Sequence, residues 1–478
     1  MAGRVPAVAS SEPFFERLST QDSSFLMFET RHTPMHVSAL ALFDAAPLRR
    51  ADGALDVARV RVHVAASLHQ LPRYRQRIVT TPVEGHPVWI DDERFNLEYH
   101  VRHTCLPPPG DEAALRALVG RVLSQQLDRQ KPLWEIWLIE GLEGYRFALL
   151  IKVHHCMVDG VGGMDLLEQL LSTEPRPEPE PAPPWEPRPP PAAWRLLAAA
   201  ALRSGRAPAL ALDAMAFAAR RPRETARELS RSLAAMGGAL RDGIRLVTGT
   251  PHNRPIGAHR RVAWLSLDLA EAKALRKRLA CTVNDVVLAV VTGGVRAFLL
   301  ERGVRLRGLD YRVVIPVNMR AFREGTEPGS GNRVAAWFLS LPVAETDPAR
   351  RVQRICRETQ RLRESQAAVG LDWFTRIVDW TGSSLLTYAG VRLAARVHPY
   401  HLIVSNVPGP QSPLHLLGAR MLALHPQLPL FESQGLGVAV LSYDGKLCFG
   451  LVGDWDVVPD LDVVVAGIRQ AFDELRAL

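Results

Sequence analysis

The chain has no long uninterrupted apolar run, few cysteines for its length and hardly any lysine. No segment reaches the roughly 18 to 20 consecutive apolar residues of a membrane span, so a soluble or peripheral protein is expected, not an integral one. The five cysteines, Cys105, Cys156, Cys281, Cys356 and Cys448, are odd in number and far apart. They fit neither a zinc-ligand spacing nor a secreted disulfide framework, which points to a reducing cytoplasm. Residues 1–11 are polar and rich in small side chains, without the apolar stretch of a secretory signal. There is no glycine-rich nucleotide loop and no internal repeat at a fixed short period.

What is present is the composition of a globular protein: 478 residues, 47% hydrophobic. That length exceeds one typical domain, so two or three are expected. The formal net charge is +8, and almost all the basic residues are arginine, scattered along the chain. Scatter argues against nucleic acid as a partner. An anionic membrane surface or the phosphates of a CoA-type substrate explain the sign more simply.

Proline density from Glu174 to Pro191 marks a boundary, because proline removes backbone donors and favours extended polyproline conformations. It divides the chain into residues 1–173, a linker and helical crossover over 174–250, and residues 251–478. In the first part, strands are expected around Val37–Phe43, Pro87–Ile90, Ile136–Ile139 and Phe147–Val153, with helices over Val57–Leu71, Glu112–Leu127 and Gly163–Leu171. In the last part, strands are expected at Arg261–Leu267, Tyr311–Val317, Leu402–Ser405, Gly437–Ser442 and Lys446–Val452. A long apolar helix covers Thr282–Leu300 and a closing helix Leu461–Leu475. Trp194–Leu246 alternates apolar residues with arginines. It reads either as an amphipathic crossover packed on the body of the protein or as a basic surface element that touches lipid.

The most informative segment is Leu149–Gly160. Its apolar strand leads into His154 and His155, followed by Asp159 and Gly160. A neutral imidazole titrates near working pH and can take a hydroxyl proton as the oxygen attacks a thioester carbonyl. The plainer reading is a pair of histidines ending a strand, satisfied by backbone carbonyls. Adjacent residues of an extended chain point to opposite sides, so the pair makes a poor metal site, and no metal ligand set is assigned. Cys156 lies among Met157 and Val158, which suits packing better than nucleophilic catalysis.

His-His-x-x-x-Asp-Gly resembles the signature of the CoA-dependent acyltransferase superfamily. Four further groups of segments narrow the resemblance: Leu18–Phe25 leading into Thr33–Val37; Leu127-Asp128-Arg129 with Pro132-Leu133-Trp134-Glu135; Asn284-Asp285 with Pro316–Arg320; and Ser405–Pro410. In this order and spacing they are similar to the bacterial wax ester synthase/diacylglycerol acyltransferase family over nearly the whole chain. The resemblance implies an α/β fold of two chloramphenicol-acetyltransferase-like domains with an active-site tunnel between them. It implies His155 as general base, His154 as support, Asp159 as a structural acid paired with an arginine such as Arg75 or Arg77, and Gly160 as part of the motif. Asn284 reads either as a helix cap or as a donor near the oxyanion. Trp134 reads as core or as acyl-channel lining, and Asp285, Ser405 and Asn406 as candidate substrate contacts.

The implied reaction moves a long-chain acyl group from acyl-CoA to diacylglycerol, a long-chain fatty alcohol, or both. Acyl-CoA is a substrate, and no bound cofactor is implied. The implied place is the cytoplasm, peripherally at the inner membrane or lipid inclusions. The alternatives are another CoA- or carrier-dependent acyltransferase or condensation enzyme of the superfamily, and a non-catalytic lipid-droplet-binding protein.

Overall fold

The computed structural model describes residues 13–158, 165–176, 178, 184–202, 249–318, 334–364 and 400–478. Two six-stranded sheets and a small three-stranded one carry these residues. The first large sheet has the order β12 (His415–Leu416), β13 (Ala419–Gln427), β2 (His36–Asp44), β7 (Arg146–His154), β6 (Trp134–Leu142), β5 (Val101–Cys105). The second runs β10 (Val334–Leu341), β9 (Tyr311–Asn318), β11 (Leu402–Val407), β14 (Leu436–Tyr443), β15 (Lys446–Asp454), β8 (Arg260–Asp268). The small sheet joins β1 (Glu16–Arg17), β4 (Pro87–Asp91) and β3 (Gln76–Thr80).

Strand β7 is apolar at nearly every position because both of its faces are covered. Side chains alternate across a strand, so its two faces feed two cores. Phe147, Leu149, Ile151 and Val153 pack with Phe43, Trp134 and Leu138 inside the first half. Ala148 and Leu150 pack with Leu115 and Val119 of helix Glu112–Ser124, and with Val262 and Trp264 of β8. This second face is therefore the seam between the halves, and Lys152 and His154 continue it.

The division at residues 173 and 251 does not anticipate one exchange. Strands β12 and β13 come from the last part of the chain, yet β13 pairs antiparallel with β2 and completes the first sheet. The proline-rich segment is likewise more than a spacer where it is described. Arg188 grips Asp91 through its guanidinium at 2.9 and 2.8 Å and through its backbone N–H at 3.0 Å. Of Trp194–Leu246, the helix Ala193–Leu202 is visible, and residues 203–248 lie outside the described residues. Leu196 of that helix packs on Val88 and Ile90, while Trp194, Leu197 and Leu202 are exposed.

The second half is built around the apolar helix Val283–Glu301. With a mean hydropathy of 1.7 it is long and apolar enough to span a bilayer, but two-thirds of it is buried inside the protein. It lies against the closing helix Leu461–Arg476 across a seam of small residues. A Cβ on Gly294 would sit 2.7 Å from both the Val464 carbonyl oxygen and the Ile468 side chain, so only glycine allows this approach.

The strands and helices expected from hydrophobic pattern are present within a few residues of their expected ends. The pattern did not disclose β3, β5, β10 and β13, or helices Thr20–Phe28, Leu269–Arg278 and Pro348–Glu364. Strand β13 contains Pro426, a residue that normally argues against a strand. The helix Pro348–Glu364 is arginine-rich, and only Arg351, Val352, Ile355 and Thr359 are buried on its inner face.

Candidate active site

Strand β7 delivers His154 at its end, and His155 opens a 3-10 turn through Met157. The backbone locks both: the His154 N–H donates to the Leu133 carbonyl at 2.9 Å and the His155 N–H to the Met35 carbonyl at 2.8 Å. The two rings then part company, as alternation requires.

His154 turns into the seam and is fully buried. Its Nδ1 accepts the Cys156 backbone N–H at 3.1 Å, which leaves the ring proton on Nε2. That nitrogen lies 3.6 Å from Glu29 Oε1, and both side chains are about 1% exposed. Glu29 Oε2 receives Arg129 at 2.8 and 3.0 Å, and Oε1 receives the Met35 N–H at 3.3 Å. Burial alone would raise the Glu29 carboxyl, but contacts with His154 and Arg129 outweigh it and hold the group below its ordinary range.

The same layer contains two more buried titratable groups. His36 of β2 stands opposite His154 in the ladder. Burial foremost, then the charges of Lys152, His154 and Arg260, pushes its pKa well below that of a free imidazole. Lys152 is fully buried and donates to the Val122 and Gln125 carbonyls at 3.0 and 2.5 Å, at the end of helix Glu112–Ser124. Burial lowers its pKa to about 8. These bonds reach carbonyls at the helix end, where the Val122 oxygen also accepts the Gln125 N–H at 3.3 Å.

His155 points the other way and is only half-buried. Its ring stacks face to face on Phe25 of the N-terminal helix Thr20–Phe28, with centroids 3.8 Å apart and planes 17° from parallel. Burial lowers its pKa to about 4, so the imidazole is neutral throughout the physiological range and available to accept a proton. Burial likewise drives the neighbouring Cys156 thiol well above its ordinary value, leaving no reactive thiolate.

Asp159 and Gly160 lie outside the described residues. Of the two arginines considered as partners of Asp159, Arg77 lies 3.8 Å from Asp92. Arg75 is buried, donates to the Ala65 carbonyl at 3.1 Å and sits over the Trp185 ring.

A second cluster forms where the apolar helix of the second half begins. The Asn406 amide donates to Asn284 Oδ1 at 3.1 Å, joining two motifs 122 residues apart. The Asn284 backbone lies in the first turn of the helix, not at its cap; Thr282 is the cap. Asp285 is engaged on both oxygens: Oδ2 accepts the Thr282 N–H and hydroxyl at 2.8 and 2.7 Å, and Oδ1 accepts the Thr359 hydroxyl at 2.8 Å. It completes a capping box, which leaves it a positioning part instead of the substrate contact anticipated. Ser405 is half-buried on β11 beside Asn406. Trp134 has no exposed surface and donates its indole N–H to the Tyr74 carbonyl at 2.7 Å, so it is core and not channel lining. No hydrogen bond among the described residues joins the asparagine cluster to the histidine pair.

A cavity of about 620 Å³ opens beside the small sheet, lined by Arg73, Asp91, Trp185 and Arg188 among others, and includes neither histidine. Its two arginines are already paired with Glu16 and Asp91.

The wax ester synthase/diacylglycerol acyltransferase catalytic domain model matches residues 18–287, and the C-terminal domain model of the same group matches residues 330–476. The chain belongs to the wax ester synthase/diacylglycerol acyltransferase family. Membership makes it an acyltransferase. It is 34% identical over 477 residues to a putative diacylglycerol O-acyltransferase of Mycobacterium tuberculosis, covering 96% of this chain and 90% of that protein. A probable diacylglycerol O-acyltransferase of the same species is 30% identical over 474 residues, with 96% of each chain covered. Among solved structures, the wax ester synthase/diacylglycerol acyltransferase from Marinobacter aquaeolei VT8 superposes with a TM-score of 0.66 at 26% identity, over 97% of this chain and 100% of that one. The first condensation domain of the CDA synthetase shares the fold, with a TM-score of 0.56 at 18% identity over 97% and 96%. These matches establish the two-part, chloramphenicol-acetyltransferase-like α/β architecture that the sequence motifs of the family implied.

Sequence reasoning missed Glu29, Phe25, His36 and Lys152. Phe25 closes one of the segments that carried the family resemblance, and His36 stands in another. Nothing in the sequence tells that a carboxylate 125 residues upstream of His154 reaches its ring.

Proposed function

We propose that the protein transfers a long-chain acyl group from acyl-CoA to diacylglycerol, a long-chain alcohol, or both, with His155 as general base. The observation that supports this most is the contrast within the pair. His154 is buried and committed to Glu29, whereas His155 is half-buried, neutral and held at the end of the sheet. In the reaction His155 Nε2 takes the acceptor hydroxyl proton as its oxygen bonds to the thioester carbonyl carbon. The resulting oxyanion collapses, the C–S bond breaks, and the departing CoA thiolate recovers the proton from the imidazolium. No covalent enzyme intermediate and no resident cofactor is required.

In this reading the first part of the chain supplies the base, and the second supplies amide groups for the oxyanion from the Asn284 and Asn406 cluster. Asp159 keeps the structural role and Gly160 the motif role that the family resemblance implies, and Ser405 borders the passage by which substrates arrive between the halves. The exposed Trp194, Leu197 and Leu202 of helix Ala193–Leu202, followed in sequence by Arg203 and Arg206, suit peripheral contact with the inner membrane or a lipid inclusion, from which a water-insoluble acceptor would come.

The test is direct. Purified protein is mixed with palmitoyl-CoA and either hexadecanol or dioleoylglycerol, and thiol release is followed. Acceptor-dependent release is expected with at least one, and their ratio assigns the acceptor. Release that ignores both acceptors, or none at all, rejects the reading.

A further inference from the structure

The general base of an acyl-transfer site must be held in one orientation, and in many such sites a carboxylate hydrogen-bonded to the second ring nitrogen does this. Here that device is missing among the described residues. His155 Nδ1 is buried without a hydrogen-bond partner from any other residue. The carboxylate nearest the pair, Glu29, is directed at His154 instead. Rotation of the His155 ring about its last bond is therefore opposed only by a bond to its own backbone and by the face of Phe25 at 3.8 Å.

The helix that carries Phe25 is fixed at both ends. Ser19 caps its start, its hydroxyl oxygen accepting the Asp22 N–H at 3.0 Å, and Glu29 ends it while bonding Arg129 and the Met35 N–H. Phe25 and Glu29 are four residues apart, hence on one face of the helix. That face meets both histidines at once, with the aromatic ring on His155 and the carboxylate toward His154. Met35 closes the loop, because its N–H is held by Glu29 while its carbonyl holds the His155 backbone.

We propose that Phe25 is the positioning residue of the catalytic base, orienting the His155 imidazole by face-to-face stacking in place of the hydrogen-bonded acid used elsewhere. This rests on the reading of His155 as base. Stacking against an apolar ring also keeps water off the imidazole, so losing it should both loosen the ring and make its protonation easier. The titratable groups on the elements packed around the ring are Asp22 and Glu29 of the N-terminal helix, His36 of β2, and His154 and Cys156 of the turn itself. None of these is altered by changing Phe25.

The test compares Phe25→Leu, which keeps apolar volume but not a flat face, with Phe25→Tyr, which keeps the face. Acyl transfer is measured across pH for both, with folding checked by circular dichroism. Phe25→Leu is expected to lower kcat about 10- to 100-fold, in line with the cost of misplacing a reacting group, while KM for palmitoyl-CoA changes little. The acid limb of its kcat/KM profile should move from about 4 toward the ordinary histidine value of about 6.5. Phe25→Tyr should restore the rate and return the limb. A folded Phe25→Leu with unchanged kcat and acid limb overturns the proposal. Should that variant not fold, proton NMR of the wild type decides: His155 ring protons without the upfield shift that a stacked aromatic face imposes overturn the proposal, and shifted protons that stay shifted in Phe25→Tyr support it. Failure of the underlying reading looks different, because His155→Ala would then retain turnover whatever Phe25 does.

Discussion

The central strands of the two large sheets solve the burial problem in opposite ways. Strand β7 of the first buries Lys152 and His154, two side chains with strong hydration, within three residues of one another. Its central counterpart in the second, β14, reads Leu436-Gly437-Val438-Ala439-Val440-Leu441 and buries essentially only apolar atoms. The buried polar groups of the first sheet are unevenly served: Lys152 reaches helix-end carbonyls, His154 Nε2 lies 3.6 Å from Glu29, and His36 Nδ1 has no hydrogen-bond partner among the described residues. Each such atom left unpartnered costs free energy that the surrounding packing must offset. The second half also buries polar groups, Arg260 against Asp454 at 3.5 Å and Asp285 between Thr282 and Thr359, but it adds precision through packing, most plainly where Gly293 and Gly294 admit the closing helix. The strand that delivers the proposed base carries polar burial, whereas its central counterpart in the second sheet is braced by apolar packing.

The contrast can be broken most sharply at His155. Replacing it by alanine should lower turnover by about 10²- to 10⁴-fold while the melting temperature stays near wild type; an active variant would remove the base from the first sheet. Trp134→Ala should act the other way round. It empties a fully buried site and breaks the bond to Tyr74, so denaturant unfolding should show a loss of about 3 to 5 kcal/mol. In the second half, Gly294→Ala forces a methyl into the helix seam and should cost about 1 to 3 kcal/mol, with kcat per folded molecule unchanged. Thr282→Ala removes the cap of the apolar helix and should cost about 1 kcal/mol, read as a shift in denaturant midpoint.

Acid should weaken both halves. His100, His155 and His425 have their pKa values lowered to about 4, and His252 to about 3, chiefly by burial. Their unfolded forms titrate near 6.5, so between those values the unfolded chain binds more protons. Stability is thus complete above about pH 6.5 and declines as the pH falls toward 4. Unfolding curves at pH 7, 5.5 and 4.5 should show that decline, and a rise on acidification would contradict the buried neutral histidines. Smallest of all, Trp194→Ala should alter stability by no more than about 0.5 kcal/mol, because the side chain is 65% exposed. Its effect belongs instead in sedimentation with anionic lipid vesicles, where binding should weaken.

Much of this was legible in the linear pattern. The apolar run ahead of His154, the long helix from Val283 and the closing helix follow from hydrophobic periodicity. The histidine motif together with the Asn284 and Asn406 segments marked the family. Less legible were elements whose residues look wrong in isolation, such as β13 with its proline or the arginine-rich helix from Pro348, because long-range pairing and one buried stripe override their local character. The site's supporting groups were hidden for the same reason.

By itself the sequence nominated His155 as the proposed base, since it follows an apolar strand inside this motif. It also determined the family and most of the secondary structure, because periodicity and residue chemistry are local properties. Only the tertiary structure decided what each histidine faces, that Glu29 serves His154, that Phe25 covers His155, and that Asn406 reaches Asn284. Those are contacts between residues distant along the chain, created when sheets and helices pack, and no local spacing encodes them.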